Sequence, residues 1–138
     1  MIRALTADET TSAEFAHLLW LAAEVDDDEL ARIRRDELAG LAVIGAVENC
    51  RVVAFAAFDP LDDPVPIEYI AVDEHEQGRG LGTALVAAVR EAAGGRAVCA
   101  ETDDDAVDFY RRLGFAVSGR KAADPRWPGR RRYDCLLA

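Results

Sequence analysis

Gln77-Gly78-Arg79-Gly80-Leu81-Gly82-Thr83 decides the reading of this chain. It follows the apolar run Ile67-Glu68-Tyr69-Ile70-Ala71-Val72 and opens the helical pattern Leu81, Ala84, Leu85, Ala88, Val89. A strand, a glycine turn and a helix in that order present backbone N–H groups at the positive end of the helix, which suits a phosphate. Glycine serves there because a side chain would keep a ligand away from the backbone. The first inference is a phosphate-bearing small molecule.

Three glycine motifs compete for the segment. A P-loop needs a Lys-Ser/Thr pair after its last glycine, but Gly82 is followed by Thr83 and Ala84. A dinucleotide fingerprint needs G-x-G-x-x-G with an acidic residue roughly 20 positions on. Glu101 could be that residue, but the sixth position is Thr83 counted from Gly78 and Leu85 counted from Gly80. The third pattern, Gln/Arg-x-x-Gly-x-Gly/Ala, is met in full by Gln77 to Gly82. A second segment lies one helix and one strand downstream: Ala106-Val107-Asp108-Phe109-Tyr110-Arg111-Arg112-Leu113-Gly114-Phe115. It fits A-x-x-F-Y-x-x-x-G-F. Thr102 or Asp103 is expected to cap a short helix there, and Gly114 to close it in a left-handed turn.

With both segments in this order, the chain resembles the GNAT family of N-acetyltransferases over nearly its whole length. The first 40 or so residues match in pattern only.

Length and composition set the frame. The 138 residues suit one domain over residues 1–138, with 51% hydrophobic residues to build its core. No apolar run approaches the roughly 20 residues of a membrane span, and residues 1–20 lack the pattern of a secretory signal. Cys50, Cys99 and Cys135 show no C-x-x-C spacing and read as reduced thiols used as small hydrophobes. A cytoplasmic protein with no membrane partner is expected. The net charge of -10 argues against nucleic acid and would attract amines. The arginines at 126, 130, 131 and 132 read as a solvated face.

The order of elements predicts an α+β fold, a mixed twisted β-sheet flanked by helices. A strand at 2–6 leads to a helix carrying Phe15, Leu18, Leu19 and Ala22, then a second carrying Leu30, Ile33 and Glu37 and ending at Gly40. Residues 41–47 and 51–58 form a hairpin, residues 59–66 a loop, and residues 67–72 the strand before the glycine turn. A helix at 81–93 crosses over to a parallel strand at 96–100. The Phe109-Tyr110 helix and a strand pair at 115–119 and 132–137 complete the sheet.

The resemblance implies acetyl-coenzyme A as cosubstrate, no metal, and direct transfer of acetyl to a primary amine of a small molecule or a protein. It places the pyrophosphate on Gly78, Gly80, Leu81, Gly82 and Thr83, beside Gln77 and Arg79. The pantetheine arm would run along Ile70, Ala71 and Val72, with Phe109 and Asp103 also at the cofactor. Asp103 stands where many relatives carry an asparagine, and an ionised carboxylate cannot donate a hydrogen bond. Tyr110 matches the tyrosine that faces the sulfur and is assigned as general acid. Glu68, the carboxylate inside the strand before the glycine turn, is the candidate base, with His75 as rival and His17 as a bystander. The alternative is a non-catalytic acyl-coenzyme A binding or partner module of the same fold. A homodimer could form through a sheet edge.

Overall fold

A computed structural model describes residues 1–120 and 124–138. Seven strands form one sheet in the order β1-β2-β3-β4-β5-β7-β6: β1 Arg3–Ala4, β2 Ala42–Glu48, β3 Arg51–Phe58, β4 Val65–Val72, β5 Val98–Asp103, β6 Ala116–Gly119 and β7 Arg132–Leu137. Helices α1 Ala7–Thr10, α2 Ala13–Ala23 and α3 Asp27–Arg32 precede the hairpin, α4 Leu81–Ala93 joins β4 to β5, and α5 Val107–Arg112 follows β5. Only β4 and β5 are parallel, as a crossover helix requires. The mixed sheet with flanking helices is the expected architecture.

Strand β3 is buried along both faces. Ala54, Ala56 and Phe58 pack with Leu85, Val86 and Val89 of α4, while Phe55 and Ala57 pack with Phe15, Leu18 and Leu19 of α2. The Phe15 and Phe55 rings meet at 4.8 Å. The β2–β3 turn places Asn49 and Cys50 at φ 51° and 62°, which leaves Cys50 exposed while Cys135 is buried. The reading of all three thiols as small hydrophobes therefore fails at Cys50.

Several boundaries differ from expectation. The first strand is shorter than 2–6. The second helix runs from Asp27 to Arg32 and then widens into a π-type turn, Ile33–Glu37, and a 3-10 turn, Leu38–Gly40. Strand β4 starts at Val65, whose N–H donates to the Ala97 carbonyl at 2.8 Å, so the loop before it is shorter than 59–66. Strand β5 covers Val98–Asp103 rather than 96–100, because it pairs with β7 as far as Asp103↔Arg132. Thr102 and Asp103 are thus strand residues and do not cap α5, which starts from Ala106 with no side-chain cap. Gly114 does close α5 at φ 93°, and Phe115 N–H donates back to the Tyr110 carbonyl at 3.1 Å.

Candidate active site

Strands β4 and β5 pair through Val65↔Val98, Pro66↔Cys99 and Ile67↔Ala100, and then separate. The separation begins at Glu68. On its other edge β4 pairs Ile67 with Phe58 and Tyr69 with Ala57, so Glu68 is the extra residue of a β-bulge. The bulge shifts the side-chain alternation: Val65, Ile67, Ile70 and Val72 lie on the α4 side, whereas Tyr69 and Ala71 lie on the α2 side. Beyond the bulge the edge of β4 facing β5 has no strand partner, with the Val72 carbonyl taken by the Gln77 side chain, and the sheet has an open centre.

One end of this gap meets the glycine turn. Gly78 and Gly80 hold φ of 85° and 79°, the left-handed region that glycine enters freely. Helix α4 opens on Gly80 with no side-chain cap and no acidic residue in its first turn. Its first backbone bond is Ala84 N–H to the Gly80 carbonyl at 3.0 Å, so the N–H groups of Leu81, Gly82 and Thr83 lie ahead of the helical ladder and face outward. Phe109 explains Gly82: a Cβ there would lie 3.0 Å from the ring.

A cleft of about 540 Å³ joins these parts. Ile70, Ala71, Val72, Gln77, Gly78, Gly80, Leu81, Gly82, Thr83, Phe109 and Tyr110 all line it. Arg79 does not. Its guanidinium makes two 2.9 Å bonds to Glu48 and a further one to Glu76. Gln77 donates to the Val72 carbonyl at 3.3 Å.

Tyr110 is 4% exposed, with its ring set edge-on to Phe109 and to Phe115, each at 5.2 Å. It lines both the glycine cleft and a cavity of about 290 Å³ in the gap. Burial pushes its hydroxyl pKa up, so the group stays protonated across the neutral range. Glu68 lines the gap cavity with Tyr110 and also a neighbouring cavity of about 570 Å³ on the sheet face beside β5 and β7. The residue is exposed, yet loss of solvent at its carboxyl, followed by the charge of Glu37, raises its pKa. His75 is exposed and lines none of these spaces, and His17 bonds Glu74 at 2.8 Å.

Asp103 lies in the gap cavity, not in the glycine cleft. It accepts from Arg130 at 3.2 Å and from the Asp105 N–H at 3.0 Å. The arginines near the C-terminus are not simply a solvated face. Arg132 is buried at 7% exposure, and the guanidinium carbons of Arg126 and Arg132 lie over the Trp127 ring at 4.4 and 4.3 Å. The Trp127 indole N–H donates to the Ala23 carbonyl at 2.9 Å, tying this loop to the end of α2. In sequence, the alternation Arg132, Asp134, Leu136 in a strand was the available signal that Arg132 faces the open sheet surface. Among the described residues, no cluster of His, Cys, Asp and Glu could hold a metal ion, and no helix is long and apolar enough to cross a membrane.

The sequence profile of the Acetyltransferase (GNAT) family matches residues 4–115. No curated protein sequence matches the chain. Among solved structures, the fold is similar to a GNAT family acetyltransferase from Elizabethkingia anophelis with acetyl-CoA bound, at 22% identity and TM-score 0.71, covering 99% of this chain and 95% of that one. It is similar to a Bacillus subtilis acetyltransferase in complex with CoA, at 19% identity and TM-score 0.73, covering 99% and 96%. An aminoglycoside 6'-N-acetyltransferase complexed with coenzyme A is similar at 17% identity and TM-score 0.76, covering 99% and 95%.

Proposed function

The chain belongs to the GNAT acetyltransferase family, and on that premise we propose that it moves an acetyl group from acetyl-coenzyme A to a primary amine by direct transfer. The observation that carries this reading is the continuity of three features: the uncapped start of α4, the unpaired edge of β4 beyond Glu68, and Tyr110 beneath the gap. The Leu81, Gly82 and Thr83 N–H groups would take the pyrophosphate. On the open edge Ile70 and Val72 offer backbone groups to the pantetheine arm, while Ala71 between them pairs with Phe55 of β3. Bound there, acetyl-coenzyme A supplies an acetyl thioester at the gap.

Glu68 lines the gap cavity and the neighbouring larger cavity but not the glycine cleft, so an acceptor amine in either of the first two spaces would meet it. Its raised pKa suits a base that takes a proton from the incoming ammonium near neutral pH. The amine's lone pair then forms the new C–N bond to the acetyl carbon as the C–S bond breaks. Tyr110, kept protonated by burial, donates its proton to the leaving thiolate.

Thiol release from acetyl-coenzyme A, measured against a panel of amines, tests the proposal. The Tyr110→Phe variant keeps the packing against Phe109 and Phe115 and is expected to lower kcat about a hundredfold or more, with KM little changed. Thiol release that is independent of any amine, or unaltered in this variant, would sink the assignment.

A further inference from the structure

Most of the charged side chains around the gap already have partners. Arg120 is paired with Glu101 and reaches Asp134 at 2.9 Å. Arg126 holds Asp124 at 3.1 Å. Arg130 holds Glu24 at 2.8 Å and Asp103 at 3.2 Å. Among the described residues Arg132 has no carboxylate at salt-bridge distance, although it is 93% removed from solvent by its 7% exposure. Its Nε is buried without a hydrogen-bond partner. A buried cation left unpaired is costly. A second cation, Arg126, over the same indole ring increases that cost. Burial pulls the Arg132 pKa down; the charges of Asp103 and Asp124 partly offset this, and Arg126 lowers it further.

Arg132 lines both the gap cavity and the larger cavity beside it. Glu68 lines the same two spaces. Among the described residues it makes no ion pair, so both cavities are lined by one cation and one anion that lack a partner at salt-bridge distance, although Asp103 and Asp124 act on Arg132, and Arg126 on Glu68, from further away.

We propose that Arg132 binds a carboxylate of the acceptor, so that the acceptor is an amine that also carries a carboxylate, an amino-acid-like zwitterion. This rests on the reading of the gap as the transfer site. The Arg132 guanidinium lies over the Trp127 ring, and its planar fork of N–H donors matches a carboxylate in shape. Glu68, which would remove the proton, meets the ammonium end. Glu101 and Asp134 also line the larger cavity, where the two carboxylates share the single cation of Arg120. They disfavour a doubly charged phosphate and tolerate a ligand whose own charges cancel.

The test needs no turnover. The protein saturated with coenzyme A is titrated by calorimetry with twenty N-acetyl amino acids and their twenty carboxamides, while the Trp127 indole N–H resonance is followed by NMR. At least one acid is expected to bind about tenfold or more tightly than its amide and to move the Trp127 signal. The Arg132→Gln variant should erase that difference and leave coenzyme A affinity within about twofold, whereas Arg132→Lys should keep part of it. Acid and amide binding equally in every pair, or no acid binding while coenzyme A still binds, overturns the carboxylate assignment alone. Failure to bind coenzyme A would overturn the transfer site itself.

Discussion

Helices α2 and α4 pack on opposite faces of β3 but begin in opposite ways. At α2, Ser12 accepts a bond from the Phe15 N–H at 3.2 Å and Glu14 lies in the first turn. Helix α3 repeats the device with Asp26, which accepts from the Glu29 N–H at 2.9 Å, and with three acidic residues. At α4 the same position is Gly80, with no cap and no acid. The first two helices satisfy their own free N–H groups and their own dipole. The third leaves both to something outside the chain. A site can therefore be located by where the ordinary rules of helix stability are not followed.

The comparison breaks if charge can be placed at α4 without consequence. Gly80→Glu puts a carboxylate at the positive end of the helix, in space where no atom lies within 4 Å of a Cβ but at φ 79°, so the turn also takes about 1 kcal/mol of backbone strain. The expected loss in acetyl-coenzyme A affinity is about a thousandfold or more by calorimetry, with circular dichroism unchanged. The paired and open stretches of β4 extend the contrast. Glu68→Gln, at the point where they part, should lower kcat/KM at neutral pH by about a hundredfold. The wild-type rate should fall as pH drops through the raised pKa of Glu68, because a base acts only when deprotonated. The variant's pH–rate profile should lack that limb.

Capping sharpens the comparison from the other side. Ser12→Ala should cost about 1 kcal/mol of stability in urea unfolding and leave acetyl-coenzyme A affinity unaltered, the reverse of the result at Gly80. The smallest effect is expected at Gly82→Ala. Its Cβ meets the Phe109 ring at 3.0 Å, and the gain in helix propensity offsets the crowding to within about 0.5 kcal/mol. Affinity should fall only severalfold, since the ring that yields also lines the cleft.

Features set by local backbone chemistry were legible in the sequence. The glycine turn, the α4 boundaries and the Gly114 turn each depend on a few neighbouring residues. The bulge was not legible, because Ile67-Glu68-Tyr69 reads as ordinary apolar–polar–apolar alternation and only pairing with Phe58 and Ala57 shows the extra residue. Asp103 carries a good local capping signal, but pairing of β5 with β7 prevails over it. Arg132 in a run of arginines looks solvated, and its burial comes from Trp127, which the Ala23 carbonyl holds in place from far along the chain. Long-range pairing decided the bulge and Asp103, and for Arg132 the alternation with Asp134 and Leu136 marked its face of the sheet but not its burial.

The central claim is that the free N–H groups at the start of α4 receive the cofactor's phosphates. Backbone amide resonances recorded with and without acetyl-coenzyme A test it most directly. Large shifts at Gly80, Leu81, Gly82 and Thr83, with Ala13, Glu14 and Phe15 of α2 unmoved, are the predicted result. Saturable binding that leaves the α4 amides in place would contradict it.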